Sequence, residues 1–306
     1  MADEWTRAMR GGDYARAWAL SAADLAGRDP ATRDDPALAY HLRWVWDGRA
    51  LDGRDVLVRC YHGLGDTIQY ARFLPALAAR ARRVTVEAQA SLCDLLATID
   101  APLDIVPFDP AHPLKPSECD VGITELPFAL RARPESARFP YLKATPAALP
   151  RGTIGLCHQG GDWDAARSLP PALLAPIATA HRCITLVAAP CDLPVLNPDG
   201  CPFAMNATAA LAAGCDLVIT VDTMIAHLAG ALGRPTWLLL KAEPDWRWNP
   251  AATTTPWYPT MRLYVQATDG DWAGVIAAVA RDLDDFTKER TAYGDDRGSV
   301  GSRVLG

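Results

Sequence analysis

Residues 54–77, RDVLVRCYHGLGDTIQYARFLPAL, combine a strand-like run, a glycine-rich turn and the start of a helix. The apolar residues up to Cys60 predict a short buried strand, and the spacing over 65–80 predicts a helix. In the turn, Gly63 and Gly65 allow the backbone to approach a ligand closely, and Asp66 begins the helix. A strand that leads through a short turn into a helix is the repeating unit of a parallel α/β fold.

The same alternation of strands and helices continues in two series on either side of a proline-rich linker. The first series, residues 53–148, predicts further strands in RVTVEA, LDIVPF and CDVGITE and a helix over 90–98. The second series, residues 151–285, predicts strands in GTIGLCHQG, CITLVAAP, CDLVITV and RPTWLLLKA and helices over 170–180, 206–213, 223–232 and 271–285. We therefore expect two doubly wound α/β domains that face a shared cleft.

The segments before and after these two series differ from them in composition. Residues 1–46 are rich in Ala, Leu, Trp and Arg at helical spacing and predict a short helical segment. Residues 286–306 are polar and glycine-rich at their end and predict a flexible tail.

Composition excludes several classes of protein. With 306 residues, half of them apolar, the chain is long enough for two domains with their own cores. A net charge of −6 provides no field that would attract nucleic acid. The eight cysteines are scattered without metal-ligand spacing, and no window is apolar enough for a transmembrane segment. We expect a cytoplasmic protein that binds neither nucleic acid nor metal and has no transmembrane segment.

Candidate site residues follow the strands that should end at the cleft. Asp66 is either a helix N-cap or a carboxylate that acts as a general base, with His62 as the neighbouring titratable group. Asp222, Thr223 and His227 stand at the start of a helix after a buried strand, which suits a phosphate group. The alternative is that Asp222 or Thr223 caps that helix and His227 is a core histidine.

Two further loops carry weaker signals. Arg167 follows two glycines and could reach a diphosphate, or it could be an exposed loop arginine. The long loop after residue 240 contains Glu243, Asp245 and several aromatic residues, most of which we assign to packing.

Taken together, these blocks resemble the heptosyltransferase-like glycosyltransferases of family nine, in the branch that is often fused to tetratricopeptide helices. The similarity extends over about residues 43–285 and is carried by two blocks. The first is WDGRALDGRDVLVRCYHGLGDTIQYARFLPALAAR, and the second runs from DLVITVDTMIAHLAGALGRPTWLLL through PDWRW to PWYPTMRLY. GDYARAWAL near the N-terminus is similar to the end of a tetratricopeptide helix pair.

The resemblance implies a GT-B fold, with the acceptor on the first Rossmann-like domain and a nucleotide sugar on the second. It also implies an inverting, metal-independent transfer without a cofactor, from a nucleotide-diphosphate sugar such as ADP-heptose to a glycan or protein acceptor. Asp66 matches the family's base, and Asp222, Thr223 and His227 match its D-T-x-x-x-H donor motif. Further donor contacts implied by position are Gly63, Gly65, His158, Gly160, Arg167, Asp192, Met224, Glu243 and Asp245.

The sequence departs from the family pattern at two places. Met224 occupies the position after the D-T pair where a small residue is usual, and the loop before Arg167 is acidic rather than basic. Two alternative functions therefore stay open. One is a non-hydrolysing nucleotide-sugar epimerase with the same architecture, and the other is a binding module that has the fold but no turnover.

Overall fold

The protein is described by a computed structural model of residues 2–161 and 164–294. It contains two parallel β-sheets, each flanked by helices, preceded by a pair of helices at the N-terminus. The α/β fold class predicted from the alternation of strands and helices is confirmed.

The N-terminal segment forms two helices, α1 (Ala2–Arg10) and α2 (Tyr14–Gly27). The predicted break at Gly11-Gly12 is present because Gly12 adopts a positive φ of 74°, which a residue with a side chain rarely adopts. Asp13 then caps α2 by accepting a hydrogen bond from the amide of Arg16. The buried faces of these helices, with Met9 and Trp18, pack into the same apolar cluster as the first sheet.

The first sheet has the strand order β3-β2-β1-β4, all parallel. Its strands and helices are β1 (Asp55–Arg59), α3 (Leu64–Tyr70), α4 (Leu74–Ala78), β2 (Arg83–Ala88), α5 (Cys93–Leu96), β3 (Asp104–Pro107), β4 (Cys119–Gly122) and α6 (Leu126–Leu130). The central strand β1 is buried, as its apolar sequence predicts.

The helix predicted over 65–80 is interrupted. A 3₁₀ turn over Ala71–Phe73 separates α3 from α4, and Pro75 lies in the first turn of α4. Proline has no amide N–H, so it cannot continue the hydrogen bonding of α3 and instead favours a new helix start.

The second sheet has the strand order β6-β5-β7-β8-β9, also all parallel. Its elements are β5 (Ile154–Cys157), α7 (Ala175–Ala180), β6 (Cys183–Thr185), α8 (Met205–Gly214), β7 (Leu217–Val221), α9 (Met224–Ala231), β8 (Thr236–Leu240), β9 (Met261–Val265) and α10 (Trp272–Gly294).

Three features of this sheet differ from the sequence-based expectation. Strand β6 ends at Thr185, whose amide and carbonyl both bond the side chain of Asn197. Strand β9 was not predicted. Helix α10 continues to Gly294 rather than ending at 285. The rest of the predicted tail, 295–306, lies outside the described residues, and the predicted domain boundaries stay predictions.

One continuous apolar cluster joins the N-terminal helices, the first sheet and one face of the second sheet. Helices α3 and α9 pack against each other at the centre of this arrangement. Their N-termini both follow strand ends, so the loops that the sequence singled out are brought together where the two halves meet.

Candidate functional site at the junction of the two sheets

A cavity of about 1240 Å³ lies at the junction of the two halves. From the first half it is lined by the turn before α3 and the start of α3, including Gly63, Gly65 and Asp66. From the second half it is lined by Gly161, Arg167, Asp222, Thr223, Met224, His227 and Asp245. Two strand-end loops that are more than 150 residues apart in sequence thus contribute to one cavity.

Asp66 does not cap helix α3 in the way the capping interpretation expects. The helix begins at Leu64 with Gly63 as its N-cap, and Asp66 lies in the first turn. Its Oδ2 accepts a hydrogen bond from the amide of Gly63 at 3.2 Å. Its Oδ1 forms an ion pair with Arg247. Asp66 therefore stabilises the helix start and also presents a charged carboxylate at the cavity.

Arg247 is the principal site residue that the sequence reasoning missed. Its Nε donates to the side-chain oxygen of Gln69 at 2.6 Å, and its Nη1 donates to Asp245 at 2.9 Å. With the Asp66 pair, one guanidinium connects two carboxylates and an amide from both halves of the molecule. The sequence signal was a cation two residues after Asp245 in a long loop at a strand end, the place where ligand-binding side chains are common.

The loop after β7 positions the candidate phosphate site. Thr223 is the N-cap residue of α9, yet its hydroxyl makes no capping hydrogen bond. The residue is half-buried and lines the cavity. The first amides of a helix have no partners within the helix, so they can bind an anion. The Asp222 carbonyl accepts a hydrogen bond from Nη1 of Arg167 at 2.9 Å. Arg167 is therefore a buried side chain of the site rather than an exposed loop arginine.

Burial raises the pKa of Asp222 to about 6, and the nearby Asp245 carboxylate acts in the same direction. The Trp248 indole, Arg247 and Arg167 oppose this shift because they favour the charged carboxylate.

Burial also holds the pKa of His227 well below its usual range, assisted by the positive charges of Arg247, Arg72 and Arg167. The ring nitrogen Nδ1 lies 2.9 Å from the hydroxyl of Tyr258. His227 is therefore a neutral, hydrogen-bonded imidazole. It lines the cavity as well as packing in the core, so the two interpretations of this histidine do not exclude each other.

Gly65 has a packing role that the sequence did not reveal. A Cβ at this position would lie 3.0 Å from Cδ2 of His227 and 3.5 Å from the Cα of Met224. The absence of a side chain thus allows α3 to approach α9 closely. Met224 is half-buried at this contact and lines the cavity.

Four of the weaker candidates, Gly160 among them, are not among the residues that line the cavity. His158 is half-buried beyond the end of β5, and Asp192 and Glu243 are exposed. Gly160 donates its amide to the Ser168 hydroxyl, and a Cβ at this position would lie 3.3 Å from Cβ of Arg167, so Gly160 supports the site indirectly. Residues 162 and 163 of the acidic loop lie outside the described residues, whereas Asp164 forms an ion pair with Lys241 at 2.7 Å.

Other predictions can be compared with the part of the chain that the structure describes. The eight cysteines are free, and six of them are buried, a location that suits small apolar side chains. Trp248 and Trp257 are buried, which confirms the assignment of these tryptophans to packing. Among the described residues, no cluster of three or more potential metal ligands is present, and no helix has the length and apolarity that crossing a bilayer requires.

Comparison with known proteins identifies related sequences and folds. The model of glycosyltransferase family 9 (heptosyltransferase) matches residues 201–255, which include Asp222, Thr223, His227 and Arg247. Protein FlbA of Caulobacter vibrioides is 37% identical over 83 residues, which are 27% of this chain and 13% of FlbA.

Among solved structures, the fold is similar to E. coli ADP-heptose LPS heptosyltransferase II. The TM-score is 0.55 at 14% identity, and the match covers 78% of this chain and 99% of that one. The iron-containing dodecameric glycosyltransferase TibC from enterotoxigenic E. coli also gives a TM-score of 0.55 at 14% identity, over 74% of this chain and 67% of TibC. TibC has also been described in complex with ADP-D-β-D-heptose. At such low identity these likenesses show the fold alone. The chain therefore has a GT-B fold similar to that of the heptosyltransferases, and its residues 201–255 match the model of glycosyltransferase family 9.

Proposed function

We propose that this protein is a glycosyltransferase that moves a sugar from a nucleotide-diphosphate sugar to a hydroxyl group of a glycan or protein acceptor. The family match and the fold support glycosyl transfer in general. One observation carries the proposal furthest. Asp66 lines the same cavity as Thr223, His227 and Arg167, so a carboxylate and a set of anion-binding groups face one space.

In the proposed mechanism, Asp66 removes the proton from the acceptor hydroxyl as the hydroxyl oxygen attacks the anomeric carbon. The bond to the diphosphate breaks on the opposite face, so the reaction inverts the anomeric configuration. The α9 amides, Thr223, Arg167 and His227 receive the charge that develops on the leaving diphosphate. These groups supply positive charge and donors without a metal ion, which supports a metal-independent reaction. An ADP-heptose-like donor is proposed by analogy with the relatives of similar fold.

The acceptor is proposed to bind on the side of the cavity nearest the N-terminal helices. Helices α1 and α2 contribute several lining residues, among them Trp5, Met9, Trp18 and Asp24. The cavity is larger than the roughly 300–1,000 Å³ of usual small-molecule sites, so a donor alone need not fill it. Tryptophan rings with a few polar groups beside them can pack against the apolar face of a sugar or against an apolar side chain of a protein acceptor.

The proposal is tested by incubating the protein with a panel of nucleotide sugars, with glycan or protein acceptors, and measuring the release of nucleoside diphosphate. Asp66→Asn retains an oxygen that can accept from Gly63 but cannot take a proton. We expect turnover to fall by ~10²–10⁴ while nucleotide affinity changes little. Asp52→Asn, which removes an exposed Asp–Arg pair, is the matched control and should leave turnover unchanged. Normal turnover in Asp66→Asn would exclude Asp66 as the base.

A further inference from the structure

Tyr258 is a buried residue of the second half whose hydroxyl is within hydrogen-bonding distance of His227. It lies in the loop before β9, outside the segment that carries the donor motif. Its ring packs directly on α9, since a Cβ at Gly230 would lie 2.5 Å from Cδ1 of the tyrosine. The position of the hydroxyl relative to His227 is therefore fixed by the packing of a rigid aromatic ring.

The surroundings of Tyr258 favour one orientation of its hydroxyl proton. Cζ of the buried Arg72 guanidinium lies 4.5 Å from the centroid of the Tyr258 ring. Nη2 of Arg72 donates to the hydroxyl of Tyr141 at 3.3 Å, and Tyr141 donates its own proton to the carbonyl of Ile68 at 3.0 Å. A guanidinium has only donors, so it favours tyrosine hydroxyls that turn their oxygens toward it and their protons away. The Tyr258 hydroxyl also bonds Tyr141 and Arg72. Because the Tyr141 oxygen already accepts from Arg72, we assign Nδ1 of His227 as the acceptor of the Tyr258 proton.

A neutral imidazole that accepts at Nδ1 must carry its proton on Nε2. The opposite edge of the His227 ring faces the start of α3. A Cβ added at Gly65 would lie 3.0 Å from Cδ2 and 3.7 Å from Nε2 of His227. Both His227 and Gly65 line the cavity, so the Nε2 edge borders the space where the diphosphate is proposed to bind.

We infer that Tyr258 is a positioning residue that holds His227 as the Nε2–H tautomer, with this N–H available to a phosphate oxygen of the nucleotide. The part that concerns the nucleotide rests on the proposed function, whereas the tautomer itself does not. Without the tyrosine hydroxyl, the imidazole can place its proton on either nitrogen and loses the contact that orients the ring.

The test uses the full-length protein labelled with ¹⁵N-histidine and heteronuclear NMR, which distinguishes the protonated from the unprotonated ring nitrogen. The His227 signals are assigned by their loss in His227→Gln. We expect the Nε2–H form in the unmodified protein and a mixture of tautomers, or the Nδ1–H form, in Tyr258→Phe. Tyr264→Phe, which removes a hydroxyl that bonds Asp282 at 2.9 Å, is the matched control and should leave His227 unchanged.

The second measurement is ADP binding by calorimetry. Loss of one oriented donor should weaken ADP binding about threefold to tenfold in Tyr258→Phe and leave it unchanged in Tyr264→Phe. An Nδ1–H tautomer in the unmodified protein would overturn the inference, and this measurement does not depend on the folding of a variant. An unchanged tautomer in Tyr258→Phe would overturn it as well. If the tautomer changes as expected but neither the unmodified protein nor Tyr258→Phe binds a nucleotide, the positioning role stands and the proposed function fails.

Discussion

The ion pair between Asp66 and Arg247 joins a residue of the first half to a residue of the second. Both side chains are largely shielded from solvent, with 27% and 14% of the side-chain surface exposed. Partial burial weakens solvent screening, so this pair should contribute more than an exposed surface pair. Arg247 also bonds Asp245 and Gln69, which means that removing it leaves several polar groups without their partner.

A double-mutant cycle tests the strength of this pair. Asp66→Asn and Arg247→Met should each lower the free energy of unfolding, and the double variant should lose less than the sum of the two. We expect a coupling free energy of about 1 to 3 kcal/mol, measured by urea denaturation. Additive losses, within about 0.5 kcal/mol, would show that the two side chains do not interact measurably in solution.

The buried Asp222 predicts a specific dependence of stability on pH. Its pKa is raised to about 6 in the folded protein, so the folded state binds its proton more tightly than the unfolded state does. The contribution of Asp222 to the free energy of unfolding must then fall as pH rises from about 4 to about 6. Asp222→Asn removes this loss, so its stability relative to the unmodified protein should improve by roughly 2 to 3 kcal/mol between about pH 4 and pH 7.

The measurement is urea denaturation at several pH values, with Asp100→Asn as the control at an exposed carboxyl. The control should show no such pH-dependent gain. A constant difference between Asp222→Asn and the unmodified protein across this range would contradict the raised pKa of Asp222.

At the scale of elements, the contact between α3 and α9 depends on Gly65. In most helices a change from glycine to alanine is favourable by about 1 kcal/mol. Here the new methyl group would lie 3.0 Å from His227, so overpacking should exceed that gain. We expect Gly65→Ala to lower the free energy of unfolding by about 1 to 2 kcal/mol and to weaken nucleotide binding.

Gly27→Ala is the matched control, because it lies in the last turn of α2 with nothing within 4 Å of the new Cβ. It should be neutral or slightly stabilising. Denaturation with urea measures both variants. If Gly65→Ala is as stable as Gly27→Ala, α3 and α9 are not held as closely in solution as the structure indicates.

The elements that the sequence predicted correctly are those with a strong local pattern. The apolar strands β1, β5, β7 and β8 and the helix starts after them follow from periodicity and turn residues. Strand β9 was missed because it follows a long aromatic loop, and its pairing with β8 is a contact between distant residues. Local patterns carry no information on such pairing.

The same limit applies to the candidate site. The sequence identified Asp66 and the Asp222–His227 segment because each directly follows a predicted strand in the sequence. It did not identify Arg247 or Tyr258, whose importance depends on side chains from other elements. The sequence suggests only that Gly65 lets the backbone approach a ligand closely, because it does not show that α9 lies against this glycine.

At the scale of the whole molecule, Arg72 connects the two halves through neutral partners. This buried side chain follows α3 in the first half and donates to the carbonyl of Trp257 in the second half. It also bonds Tyr141, which lies between α6 and β5 in the sequence, and the carbonyl of Gln69 in its own half. A buried cation with several fixed hydrogen bonds is costly to disturb, since its partners also lose their donor.

Because the apolar cluster and Arg72 both join the two halves, we expect the protein to unfold in a single transition, with tryptophan fluorescence and far-UV circular dichroism giving the same urea midpoint. In Arg72→Met the junction is weakened by about 2 to 4 kcal/mol, so the two probes should separate as one half unfolds before the other. Arg138→Met, at an exposed pair with Asp100, should keep the single transition and its midpoint. A single transition at an unchanged midpoint in Arg72→Met would mean that the apolar contacts alone hold the halves together, and that Arg72 contributes little to the cooperativity of the fold.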